Sequence, residues 1–291
     1  MNIAFRVELE RIFAGVTRCV LPNHPFPVGD FITLIPEAPE LAKSLAERAV
    51  KGHPCYEEME KLGLSVVVFP ILLSRVLKLT FAPDIQVFVC DSEWKEELEK
   101  SLERIRRDEE IVLRSGDERR WAKIVRSEGR ILGYPKCCVE GFVGGKLRND
   151  PPETRLIRRC IEEGVLERIY ELLKNPSEPD EDLFVFFTSN FYPCDLGCER
   201  ALRIGLTVRE SLNGRMKKAY DLKVVLNSAN LLMSAYGTYR FLRVRGAKTE
   251  FGRVVEDFFE NKDVEFLNAI FESYSSDPLG FEERFISAHL D

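Results

Sequence analysis

The sequence predicts an α+β fold, with strands gathered in the amino-terminal part and helices dominating the rest. Three observations carry this. Runs of β-branched and aromatic residues separated by prolines fill residues 64–90, and apolar residues recur at helical spacing from Trp94 onward. Two short cysteine frames, each behind a Tyr-Pro pair, lie within the helical part. A chain of 291 residues suits one large domain or two unequal ones. The expected organisation is an α+β subdomain over residues 1–92 and a mainly helical, cysteine-bearing domain over 93–291.

Residues 1–30 read as a short amphipathic start and a loop punctuated by Pro22, Pro25, Pro27 and Gly29. Ile32 to Ile35 is expected to be a brief strand. After Pro39, Leu41, Leu45, Ala46 and Ala49 recur at helical spacing until Gly52 and Pro54 end the pattern. Leu64 to Phe69, Leu72 to Phe81 and Ile85 to Cys90 are expected strands of a small sheet. Trp94, Leu98, Leu102 and Ile105 then mark one amphipathic helix, and a second runs from about Asp117 to Ile131.

A short helix carrying Cys137, Cys138 and Phe142 is expected to end at Gly144-Gly145. Pro151-Pro152 opens a long helix with the stripe Leu156, Cys160, Ile161, Val165, Ile169 and Leu172, closed by Asn175-Pro176. An acidic linker follows, then a buried-strand candidate at Leu183 to Phe187. Leu222 to Met233 reads equally as helix or strand. Tyr236 to Val244 alternates, which would place Tyr239, Phe241, Arg243 and Arg245 on one strand face. Val254 to Leu290 is expected to form two acidic helices.

Composition limits the function classes. Hydrophobic residues make up 45% of the chain, enough to fill a core, and charged residues make up 31%. A surface rich in Lys, Arg and Glu resembles that of intracellular proteins from hot environments. The amino terminus carries Arg6, Glu8, Glu10 and Arg11 in place of a leader's apolar core, and the longest apolar stretch, Leu64 to Leu73, is too short to span a bilayer. A soluble, cytoplasmic protein without a membrane partner is expected. Charge is unevenly spread: residues 196–253 hold twelve Lys or Arg against four acids, a net of +8, and residues 254–291 reverse this to -8.

Four of the eight cysteines form the frames Tyr134-Pro135-Lys136-Cys137-Cys138 and Tyr192-Pro193-Cys194-Asp195-Leu196-Gly197-Cys198. Proline fits the first turn of a helix, so the cysteines are expected at helix amino ends, where the partial positive charge favours thiolate. A four-residue step would put Cys194 and Cys198 on one helix face. If the two frames converge, Cys137, Cys138, Cys194 and Cys198 can bind an iron–sulfur cluster or zinc. Disulfide pairing with no metal, or reduced core thiols, are the alternatives that the residues leave open. Only three histidines exist, none within the frames, so a metal here should be sulfur-bound.

Lys136, Arg200 and Arg203 next to the cysteines, with Arg240, Arg243 and Arg245 further on, are the candidate anion-binding residues; solvated surface charge explains them as well. Glu140, Asp195 and Glu199 are the nearby carboxylates, and helix-face pairing accounts for each. No phosphate-binding glycine loop is present, and Ser189 lacks the flanking glycines of a hydrolase elbow, so no catalytic residue is assigned.

Gly133-Tyr134-Pro135-x-Cys137-Cys138, followed by Phe191-Tyr192-Pro193-Cys194-x3-Cys198, resembles a family of uncharacterised, mainly archaeal proteins known only as a domain of unknown function. The resemblance runs from about Gly133 to Gly205 and implies that both frames belong to one unit; it implies no activity. Three functions compete. One is a metal or iron–sulfur protein beside a basic segment that receives an anionic small molecule or RNA. The second is an RNA- or nucleotide-binding protein with structural disulfides, using aromatic and arginine side chains on one strand. The third is a homo-oligomeric assembly subunit whose acidic carboxyl helices meet the basic segment of another copy.

Overall fold

A computed structural model describes residues 1–246 and 249–290. Lys248, one of the bases counted above, lies outside them. The chain forms two compact units, Met1–Arg148 and Asn149–Asp291. The first unit includes the helices after Trp94, which close over the sheet.

The first unit begins with α1 (Ile3–Phe13), β1 (Cys19–Val20), α2 (Pro39–Lys51) and α3 (Pro54–Lys61). It continues with β2 (Leu64–Leu73), β3 (Phe81–Asp91), α4 (Lys95–Ser115), α5 (Glu118–Ile131) and α6 (Lys136–Leu147). The three strands form an antiparallel sheet in the order β1-β3-β2, with Val67 opposite Phe88 and Cys19 opposite Cys90. Pro70 is tolerated in β2 because that strand is an edge, where a missing N–H costs no ladder bond. Val67, Phe69, Ile71 and Leu73 alternate along β2 into one core with Leu98, Leu102, Ile105 and Val112 of α4 and Trp121 of α5. Each of these α4 side chains contributes roughly 1.5–3 kcal/mol by leaving water. Val66 and Val68 are buried on the opposite face, and α2 buries Ala42, Ala46 and Val50 while leaving Leu41 exposed.

Two expected strands are corrected. Ile32 to Ile35 falls in and just after a 3-10 helix, Gly29–Leu34, closed by Phe31 N–H to Val28 and Ile35 N–H to Ile32. Leu72 to Phe81 is interrupted by a turn: Ser74 Oγ accepts the N–H groups of Val76 and Leu77, and Ser74 N–H reaches Thr80. Val76 and Leu77, which made the segment look like a strand, point to solvent. The turn sends Arg75 inward, where it binds Glu109 at 2.6 Å and pairs with Glu128.

The second unit is helical among its described residues. It contains α7 (Pro152–Glu162), α8 (Val165–Lys174), α9 (Glu199–Ser211), α10 (Gly214–Arg245), α11 (Glu250–Phe259), α12 (Val264–Ser276) and α13 (Pro278–Ala288). The expected long helix after Pro152 is two, broken at Gly164, whose φ of +71° suits glycine. The candidate strand at Leu183 to Phe187 is mostly a buried 3-10 helix, Glu181–Phe186. With no strand in this unit to pair with, its backbone needs local and side-chain partners instead. The ambiguous stretch after Gly214 and the alternating Tyr236 to Val244 form one helix, α10, with α7, α8, α9, α11 and α13 packed around it. A helix buried on most sides loses its amphipathic stripe, which is why the period was obscure. The carboxyl region forms three helices where two were expected. No described helix is long and apolar enough to cross a membrane.

Candidate metal centre

Each cysteine frame is shaped by its own unit. At the end of α5, Gly133 takes a φ of +70° and a β-carbon there would sit 2.8 Å from Thr17 Oγ1, so glycine is required twice over. Tyr134 N–H then bonds Gly129 O at 2.8 Å. Arg11, buried in α1, donates to Leu132 O at 2.7 Å and stands over the Tyr134 ring at 5.7 Å. Burial pushes the Tyr134 phenol well above its usual range, so it stays neutral.

Pro135 caps α6, and its carbonyl accepts the N–H groups of Cys138 and Val139 at 2.9 and 3.1 Å. Proline therefore stands one place before the first helical residue expected of it, and Cys137 and Cys138 occupy the first turn. Their sulfurs are 3.9 Å apart, which is contact and not the bond of about 2.05 Å. Arg126 clamps Glu140 with hydrogen bonds of 2.8–3.0 Å, holding α6 to α5.

The second frame departs further from expectation. Residues 187–198 form a loop, pinned by α10 through Asn227 Nδ2 to Phe186 O at 3.1 Å and Asn230 Nδ2 to Ser189 O at 3.3 Å. Cys194 lies in that loop, exposed, while Cys198 is the buried N-cap of α9. They do not share a helix face, because the helix starts only after Cys198. What joins them is a turn at Asp195. Its Oδ1 accepts Gly197 N–H at 2.9 Å, its carbonyl accepts Cys198 N–H at 3.2 Å, and its other oxygen pairs with Arg159.

The four sulfurs of Cys137, Cys138, Cys194 and Cys198 all lie within 4.8 Å of one another. The expected convergence is therefore present, and the donor set suits a soft, tetrahedral centre. None of the eight cysteines is disulfide-bonded, so the alternative in which these four form structural bridges is corrected. Of the remaining thiols, Cys19, Cys90 and Cys160 are core atoms, whereas Cys55 is only part-buried. Burial pushes Cys90 and Cys160 up to about 12 and also raises Cys19 well above the usual thiol range, so they stay protonated and inert.

Two of the three nearby carboxylates are occupied, Glu140 by Arg126 and Asp195 by Gly197 and Arg159, while Glu199 is exposed at the start of α9. Lys136 is exposed at the start of α6, and Arg200 and Arg203 are exposed on α9. Arg240, Arg243 and Arg245 sit on the last turns of α10, not on a strand. There Arg240 lies over Phe271, Arg243 over Tyr239 and Arg245 over Phe241, at 5.2, 5.9 and 5.8 Å.

Sequence reasoning missed the residues that seat the second frame. Asn227 and Asn230 interrupt an apolar run, and a buried amide in such a run signals a backbone group that needs a partner. Gly205 gave no sequence signal.

No curated protein and no solved structure matches the chain. Over residues 83–227, a stretch that contains both cysteine frames and all of α9, the chain is similar to the family described as Protein of unknown function (DUF483).

Proposed function

We propose that the protein binds one zinc ion through Cys137, Cys138, Cys194 and Cys198. The supporting observation is the mutual separation of the sulfurs, at most 4.8 Å. Zinc–sulfur bonds of about 2.3 Å in a tetrahedron put the ligand sulfurs about 3.8 Å apart. An iron–sulfur cluster instead spreads its thiolates over different irons of a cage, so its ligand sulfurs stand farther apart. A single tetrahedral ion fits this group better. Four thiolates leave no open position, which makes the site structural: the ion ties together two frames that are remote in sequence. Elemental analysis of anaerobically purified protein tests this, with about one zinc per chain and no visible absorption expected. Cys138→Ser and Cys198→Ser should each abolish stoichiometric binding. Iron with sulfide, or four thiols that stay reactive under excess zinc, would overturn the reading.

We further propose that the carboxyl end of α10 receives an anionic ligand such as single-stranded RNA. Among the described residues, Arg240, Arg243 and Arg245 have no carboxylate partner and rest on aromatic rings, while Phe241 is 61% exposed. An exposed ring framed by guanidinium groups suits a base and its phosphates. Fluorescence anisotropy with a labelled oligonucleotide should show affinity that falls as salt rises and is lost in Arg243→Glu/Arg245→Glu. Absent or salt-independent binding would count against it.

A further inference from the structure

We infer that Cys194 is a peroxide-reactive thiolate whose oxidation onto Cys198 opens the zinc site. The inference rests on the zinc reading above and adds to it a modification site and a ligand-exchange chemistry. The four sulfurs are not equivalent: Cys194 is exposed, Cys137 is half-buried, and Cys138 and Cys198 are buried. An oxidant arriving from water therefore meets Cys194 first. Metal coordination holds a thiol as thiolate, the form that attacks oxidants.

The partner is fixed by the loop. Cys198 is four residues on, at the positive end of α9, and the Asp195 turn already brings the two sulfurs within 4.8 Å. Closing to a bond of about 2.05 Å requires movement only within a short loop segment. Cys137 and Cys138 offer no such route, because adjacent residues in the hydrogen-bonded first turn of α6 cannot close their 3.9 Å gap without unwinding it.

The chemistry balances. The Cys194 thiolate attacks one oxygen of hydrogen peroxide, the O–O bond breaks, and hydroxide leaves a sulfenic acid on Cys194. The Cys198 thiolate attacks that sulfur, the S–S bond forms, and a second hydroxide leaves. Peroxide gains two electrons, two thiolates lose them, and zinc keeps its oxidation state but loses two of its four ligands. A dithiol reductant reverses the bond and restores the site.

The experiment uses the zinc-loaded full chain treated with increasing hydrogen peroxide. Released zinc is read with a chromogenic chelator, and the thiols are read by mass spectrometry of the tryptic peptide over residues 175–200. One zinc should leave for each peptide that loses two hydrogens, and dithiothreitol should reverse both. In the wild-type chain sampled early, dimedone should trap a sulfenic acid on Cys194, and Cys137 and Cys138 should still be reduced when the Cys194–Cys198 bond has formed. Zinc release while Cys194 stays reduced, or oxidation of Cys137 or Cys138 with Cys194 intact, would overturn the inference while leaving zinc binding standing. A chain that takes up no zinc before peroxide is added would remove both.

Discussion

Gly205 of α9 lies so close to the backbone of Phe184 that a β-carbon at 205 would fall 2.1 Å from the Phe184 carbonyl oxygen. Tyr220 adds a hydrogen bond of 3.2 Å from its hydroxyl to Gly205 O. The helix that Cys198 caps is therefore seated by a contact only glycine permits. Gly205→Ala should destabilise the protein by about 1–3 kcal/mol, the usual cost of overpacking. Because backbone, not a side-chain tip, must give way, α9 should shift and zinc affinity should fall as well. Urea unfolding and zinc titration check the two effects separately.

Lys223 and Glu282 form an ion pair of 2.6 Å with side chains 1% and 0% exposed, joining α10 to α13. Taking one partner away strands the other charge, so Lys223→Met or Glu282→Leu alone should cost about 3–5 kcal/mol. The double variant Lys223→Met/Glu282→Leu should recover most of that loss. A double-mutant cycle in denaturant measures the coupling.

Asp195 should matter to the metal through its turn more than through its charge. Asp195→Asn keeps an oxygen for the Gly197 N–H, whereas Asp195→Ala removes it. Competition with a chromogenic chelator should rank zinc affinity as wild type close to Asp195→Asn and Asp195→Ala clearly weaker. Arg159→Ala, which breaks only exposed pairs with Asp195 and Glu163, should have little effect.

His24 sets a pH dependence. Burial lowers its pKa to about 4, against 6.5 for a free histidine. The unfolded chain therefore binds more protons than the folded one between these values. Stability from this group is complete above pH 6.5 and is lost as pH falls toward 4, by up to about 3 kcal/mol. His24→Phe should flatten that limb of a stability–pH curve.

Zinc should also act as a folding ligand. Free zinc at a thousandfold excess over its dissociation constant stabilises the folded state by about 4 kcal/mol, and a strong chelator should remove that increment. Calorimetry with and without chelator reads the difference, which should vanish in Cys138→Ser.

Much of the architecture was legible because its signals are local. Leu98, Leu102 and Ile105 keep helical spacing on a face that does lie in the core. Asp117 caps α5 by accepting the N–H groups of Arg119 and Arg120, as a short acidic side chain before an apolar repeat suggests. Errors arose where tertiary context decides between two forms of an apolar run. Phe184 and Phe186 would suit a strand, yet among the described residues of the second unit no strand stands ready to pair with them. Tyr239, Phe241, Arg243 and Arg245 alternate by chance inside a helix whose central part is buried nearly all round.

The sequence by itself determined which cysteines matter, because the repeated Tyr-Pro frame sets four apart from Cys19, Cys55, Cys90 and Cys160. It also pointed any metal at these frames toward sulfur ligation, since no histidine lies within them. Only the tertiary structure decided that four sulfurs meet, that Cys194 is the most exposed of them, and that Gly205, Asn227 and Asn230 hold the second frame in place. The physical reason is that side-chain chemistry is written residue by residue, whereas distance and exposure come from contacts between segments far apart in the chain.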